Sequence, residues 1–272
     1  MDRKVSSTGT ARMFLRGLAI QKGVLGALLM REIEIRWGRR NVGFAWVVLE
    51  PLIFALPVLG VWRLVRGPFE HGIPVIAFLW SGYLPILAFR HITGHAMYSI
   101  RQNSAMLFHQ RVTPLDIVLG RAGLEIAGNM AAVVASFVFF HMLGSVDWPE
   151  DPWRFLLGFI LMYWWCTAIA LIIAAASEQS DLVEHIWQPM SYLYIFYSGF
   201  MLLAAWLPDA YRPLVMMINP PLQGYEIIRG GLFGAKIQTF GDPLYLTFLL
   251  AILTLLGLWL MRGVRKHLEL EV

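Results

Sequence analysis

Cysteine, charge and the glycine patterns of nucleotide sites are all scarce in this chain. One cysteine, Cys166, in 272 residues excludes a disulfide framework and a Cys-based metal site. Charged residues make up 15%, against about 25% in soluble domains. No Gly-x-x-x-x-Gly-Lys-Ser/Thr run is present, so nothing here can cradle nucleotide phosphates in a P-loop. His-Glu-x-x-His and a Gly-x-Ser-x-Gly elbow are missing too. What is abundant is apolar: 58% hydrophobic and 14% aromatic residues, with a mean hydropathy of +0.60. A soluble fold would have to hide more apolar surface than its volume allows. A soluble enzyme, a disordered chain and a nucleic-acid-binding module are excluded. The composition is that of an all-α integral membrane protein. The formal charge of +4 then reads as juxtamembrane Lys and Arg.

Residues 1–11 are polar and basic and read as a loose cytoplasmic tail. Arg16, Lys22 and Arg31 interrupt the apolar stretch that follows, so it has no clean signal core. On a helical wheel, Phe14, Leu15, Leu18, Leu25, Leu28, Leu29 and Ile33 share one side, opposite Arg12, Arg16, Arg31 and Glu34. Residues 12–40 are therefore expected to form an amphipathic helix in the membrane interface, and 41–272 the transmembrane domain.

A span needs about 20 mostly apolar residues to cross about 30 Å of hydrocarbon. Six segments qualify: 43–65, 73–99, 114–143, 153–176, 185–207 and 243–261. Placing both termini inside puts fourteen Lys and Arg in the inner flanks and six in the outer ones, as the positive-inside rule requires. The acidic loop at 177–184 runs against the trend, but acidic residues weigh little in that rule. The segment 208–241 is too apolar for a solvated loop and too interrupted to span. Two short helices, 211–218 and 222–232, are expected on either side of Asn219-Pro220-Pro221, which cannot continue a helix. Irregular backbone at membrane depth must be covered by protein or line a water path. That makes Arg212, Asn219, Pro220, Pro221, Glu226 and Arg229 the candidate gate.

Ionisable side chains at membrane depth are expensive and informative. Arg90, Asp116, Arg121 and Glu125 form a candidate charge cluster. Arg90 lies 17 residues before Leu107 and Glu125 lies 18 after it. The two thus share a depth on antiparallel helices and are expected to pair. His91 and His95 have ligand spacing, but a metal needs further ligands, so polar packing is the reading. Trp46, Trp62, Tyr192 and Phe196 offer aromatic faces, and Arg63 and Arg66 offer charge. The connector at 101–113 is the one compact element able to receive motion from another subunit. Ser104, Met106, Leu107, Phe108, His109, Gln110 and Arg111 form its core, with apolar residues on the aqueous side.

Four stretches carry a family resemblance: RWGRRNVGFAWVVLEPL from Arg36, SGYLPILAFRH from Ser81, RVTPLD from Arg111 and INPPLQGYEIIRGGLFG from Ile218. With them the chain resembles the membrane subunit of ABC-2-type exporters, and most closely the inner-membrane permease of capsular polysaccharide export. The resemblance implies an inner-membrane homodimer of six-span subunits with two copies of a cytoplasmic ATPase. That ATPase would bind the ATP and Mg, and this chain would need no cofactor. It further implies a coupling helix at 101–113, a periplasmic re-entrant gate, and a lipid-linked, usually acidic polysaccharide as substrate, for which Trp46, Trp62, Arg63, Arg66, Tyr192 and Phe196 are the candidate sugar contacts. Periplasmic and outer-membrane export proteins would be partners, and nucleic acid would not. O-antigen or teichoic-acid export is the alternative within the class. A membrane-embedded glycosyl- or acyltransferase is the alternative outside it, for which only Asp147, Glu150, Asp151 and His141 stand near an interface. An accessory scaffold would not need charges at membrane depth.

Overall fold

The computed structural model describes residues 56–65, 67–70, 72–107 and 112–270, with isolated positions at 23, 26, 30, 49 and 53. The expected tail, nearly all of the interfacial helix, Trp46, Arg66, Phe108, His109, Gln110 and Arg111 lie outside the described residues.

The first described helix, α1, is Leu56–Val65. A short antiparallel hairpin follows, β1 Phe69–Glu70 and β2 Ile73–Pro74, with Phe69 opposite Pro74 and Glu70 opposite Ile73. Gly72 at φ 79° supplies the left-handed turn that residues with a Cβ resist. Then come α2 Val75–Gln102, the single turn α3 Ser104–Leu107, α4 Pro114–Met142, α5 Pro152–Gln179 and α6 Asp181–Tyr197. Two short helices, α7 Arg212–Ile218 and α8 Pro220–Phe233, precede the last, α9 Pro243–Leu270.

The helix starts have local causes. Thr113 and Asp116 form a reciprocal capping box at α4, with Pro114 in the first turn. The Asp151 carboxylate accepts from the Arg154 N–H at 3.0 Å and opens α5. Pro220 and Pro221 occupy the first turn of α8, where the missing N–H costs nothing.

Four described helices are long and apolar enough to cross a membrane: α2, α4, α5 and α9. The expected fifth span is corrected. The helix α6 has 17 residues, about 25 Å, and stops before Ser198. Gly199 there takes φ 84°, and a lone 3-10 turn at Ala204–Trp206 replaces the helical end expected up to 207. Hydropathy sees the apolar residues but not the turn.

The helix α5 is the hub, packed against α2, α8 and α9. Its contact with α8 is a crossing of glycines, the small-residue packing of membrane helices. A Cβ on Gly158 would stand 2.7 Å from the Ile228 nitrogen, and one on Gly231 would clash with the backbone of Phe155. On the opposite side of α5, Gly257 of α9 fits over Leu171, and Trp164 donates to the Thr254 hydroxyl at 2.9 Å. The outer side of α9 exposes Leu244, Phe248, Ile252, Leu255 and Trp259 at helical spacing, a stripe suited to acyl chains.

Gly231→Ala is expected to destabilise the subunit by about 1–3 kcal/mol, because the backbone of α5 has to yield. Gly94→Ala, where a Cβ meets nothing within 4 Å, is the control. Thermal unfolding of the two purified variants separates them, and equal melting would contradict the close α5–α8 crossing.

Candidate functional site

The longest polar construction surrounds α8. From Pro221 to Phe233 every residue of this helix is buried, although Gln223, Glu226 and Arg229 are polar. Each of the three is turned to main chain of the irregular stretches beside it. Arg229, fully buried, donates from Nη1 to the Leu202 carbonyl at 2.6 Å and from Nη2 to the Phe200 carbonyl. Its guanidinium lies over the Phe78 ring, 3.9 Å from the centroid. Gly82 on α2 makes this approach possible, since a Cβ there would meet the Phe200 carbonyl at 2.6 Å. The Glu226 carboxylate accepts from the N–H groups of Ala204 and Phe240, both at 2.9 Å. Gln223 donates to the Met216 carbonyl at 3.0 Å and accepts from the Asp242 N–H at 2.9 Å.

The other expected gate residues serve the same loops. Arg212 donates to the Ala204 and Leu207 carbonyls at 2.8 and 2.9 Å and pairs with Asp209 at 2.7 Å. Asn219, between α7 and α8, donates its amide to the Tyr197 carbonyl at the end of α6. A loop between α4 and α5 closes the far end of α8. The N–H of Asp151 reaches the Gly231 carbonyl at 2.9 Å, and Glu150 lies 3.4 Å from Lys236. Asp151 thus caps α5 as well as joining the two helices, and Glu150 pairs with Lys236.

The charge cluster separates into three parts. Glu125, buried, lies 3.6 Å from both Arg121 and His95. Arg90 is not its partner: the Arg90 guanidinium lies over the Tyr192 ring of α6, 3.7 Å from the centroid. The depth argument put Arg90 and Glu125 level, but azimuth decides pairing. His95 is five residues beyond Arg90, about 140° round α2, and it is His95 that faces α4. Asp116 also leaves the cluster, accepting from the Thr113 N–H at 3.0 Å and its hydroxyl at 2.7 Å. A Thr-x-x-Asp spacing before an apolar run was the available signal.

At the connector end, sequence reasoning missed Arg101. Its guanidinium reaches Asp181 at 2.9 Å, Glu184 at 2.8 Å and Glu178 at 3.6 Å, and donates to the Ser177 carbonyl at 2.7 Å. The acidic loop that ran against the charge rule is therefore the counter-charge of one arginine. Asn103 donates to the Ser99 carbonyl at 2.9 Å and closes α2. Ser104 is exposed, but Met106 and Leu107 are half-buried, and Leu107 packs against the core. The chain itself thus covers part of the apolar surface expected to await a partner.

The residues proposed for sugar contacts are scattered. Trp62 is half-buried and Arg63 exposed on α1, while Tyr192 and Phe196 stand out from α6, 54% and 79% exposed. Tyr194, between them, turns inward and packs with Phe89 and Trp165 at centroid distances of 5.1 and 5.6 Å.

A bundle of membrane-length helices with a buried polar helix folded back into it defines a helical membrane protein, and comparison narrows the class. The ABC-2 type transporter family matches residues 24–233, and the chain belongs to that family. The capsule polysaccharide export inner-membrane protein CtrC of Neisseria meningitidis is 34% identical over 94% of this chain and 96% of its own length. The capsule polysaccharide export inner-membrane protein BexB of Haemophilus influenzae is 32% identical over 96% and 98%. The polysialic acid transport protein KpsM of Escherichia coli is 24% identical over 90% and 95%.

Glu125→Gln is expected to destabilise the subunit by about 1–3 kcal/mol, because it removes the buried carboxylate that Arg121 and His95 face. Exchanging Arg121 and Glu125 recovers part of that loss, and exchanging Arg90 and Glu125 does not. Unfolding of the purified single and exchanged variants measures it. Recovery by the Arg90 exchange would reinstate the pairing that the geometry rejects.

Proposed function

We propose that this chain is the membrane subunit of an ABC exporter that moves a lipid-linked, acidic capsular polysaccharide across the inner membrane. In this reading it works as a homodimer with two copies of a separate ATPase and hands its substrate to periplasmic and outer-membrane proteins. Both termini are cytoplasmic. The observation that supports it best is α8: the INPPLQGYEIIRGGLFG stretch forms a rigid wedge inside the bundle, and near full-length relatives are capsule export proteins.

The gate in this reading is the α7–α8 pair. The Pro220 end of α8 packs at the level of Met162, ten residues into α5, or about 15 Å. That is about half the hydrocarbon thickness. Motion enters at the connector. Arg101 joins the end of α2 to the start of α6, so a push on α3 reaches α6, which carries Tyr192 and Phe196, without passing through flexible chain. O-antigen export is the second reading within the family, and chemistry of the glycan acids is what separates them.

Co-purification from native membranes tests the assembly. The expected partner is an ATPase whose hydrolysis rises with acidic glycolipid, and a subunit that purifies without one would overturn the reading. Arg101→Glu is expected to insert and retain its ATPase, yet to lose export at least tenfold. Adding Glu184→Arg should restore part of it. Full export by the single variant would remove Arg101 from the coupling route.

A further inference from the structure

Arg90 sits fifteen residues beyond Val75 in a helix of 28, near the middle of the bilayer. A cation at that depth needs compensation, and the described residues supply little. Among the described residues no carboxylate lies within ion-pair distance of Arg90, and its Nε is buried with no hydrogen-bond partner. Glu125, the acid at matching depth, is already held by Arg121 and His95. The compensation present is the Tyr192 ring, 3.7 Å away, and a cation–π contact is weaker than an ion pair.

The surroundings are open. Arg90 is half-buried and Tyr192 more than half exposed. One turn along the same side of α2, a Cβ on Gly94 would meet nothing within 4 Å. A cation–π contact uses none of the guanidinium's N–H donors, which remain able to bind an oxyanion with two parallel hydrogen bonds.

We propose that Arg90 and Tyr192 form a binding site for an anionic group, carboxylate or phosphate, of the lipid-linked glycan in transit. This rests on the export reading above. Phospholipid headgroups carry the same chemistry, but they lie at the bilayer surface, about 15 Å from its middle. A charged polymer crossing the membrane is the anion that has to pass this depth. Tyr192 holds the guanidinium plane, and Arg90 supplies the donors.

The test uses the subunit with its ATPase, reconstituted in phosphatidylcholine nanodiscs. The probes are a lipid-linked disialic acid and the same lipid with its carboxyls methyl-esterified, with binding read by intrinsic fluorescence. The wild type is expected to prefer the acid by about tenfold, the worth of one charge-assisted contact. Arg90→Gln abolishes the preference. Arg90→Lys keeps a smaller one, because an ammonium lacks the fork, and it guards against a variant that merely fails to fold. Tyr192→Phe retains the preference and Tyr192→Leu reduces it severalfold. Equal binding of acid and ester by the wild type, or an undiminished preference in Arg90→Gln, would overturn the site. Displacement of the acid probe by phosphatidylglycerol at matched concentration would assign it to phospholipid and overturn the substrate role. ATPase activity stimulated by glycolipid is measured on the same samples. Its loss tells against the export reading, and its persistence without acid preference tells against this site alone.

Discussion

A backbone carbonyl or N–H left bare in hydrocarbon has no water to fall back on, and that constraint shapes everything between Gly199 and Asp242. The segment leaves helical geometry several times while lying within a bundle of membrane-length helices. Its main chain therefore needs partners from side chains. Arg229 serves Phe200 and Leu202, Glu226 serves Ala204 and Phe240, Gln223 serves Met216 and Asp242, and Arg212 serves Ala204 and Leu207. Three of these four residues project from α8. The helix is buried because it satisfies the loops around it, and the loops stay in place because α8 is buried.

That reciprocity explains the glycines. To bring three polar side chains within hydrogen-bond reach of two separate loops, α8 has to approach α5 closely along its length. Gly158 on one helix and Gly224 and Gly231 on the other remove the Cβ atoms that would hold them apart. Gly82 does the same for α2, admitting Arg229 and the Phe200 carbonyl to a single gap. Packing and polar satisfaction are thus one device. Loosening either exposes the other.

Membrane class and the starts of α4, α5 and α9 were legible in the sequence, because proline and capping residues act locally and hydropathy adds along the chain. The start of α8 was placed two residues late, at 222, because the two prolines were taken as a break when they serve as a first turn. The end of α6 was illegible for a different reason: a residue in left-handed conformation at Gly199 interrupts a run that remains apolar on both sides. Side-chain pairing was the least legible level. Depth along antiparallel helices can be counted from a turn, and it put Arg90 and Glu125 level, but rotation about each axis depends on packing that no count reveals. The loop at 177–184 held a readable clue, since acidic residues on the side expected to be basic call for a cation, and Arg101 is near in depth.

Three arginines show how differently this fold treats the same group. Arg101, at the bundle's end, is surrounded by carboxylates, where water softens the cost of bringing charges together. Arg229, fully buried, is turned to carbonyl oxygens and an aromatic face, and its charge organises main chain. Arg90, about 18 Å further along α2 than Phe78 and half-buried, has the aromatic face without the oxygens. The chain places carbonyl oxygens around the buried guanidinium of Arg229 and, among the described residues, leaves the Nε of the half-buried Arg90 without a hydrogen-bond partner. A structural arginine at Arg90 would have been cheaper with a neighbouring acid, and Glu125, the acid level with it, faces His95 and Arg121. The physical distinction between these two arginines is thus between a group that completes the fold and one that the fold leaves incomplete. Incompleteness at membrane depth is a property that a transient anion can satisfy and then release.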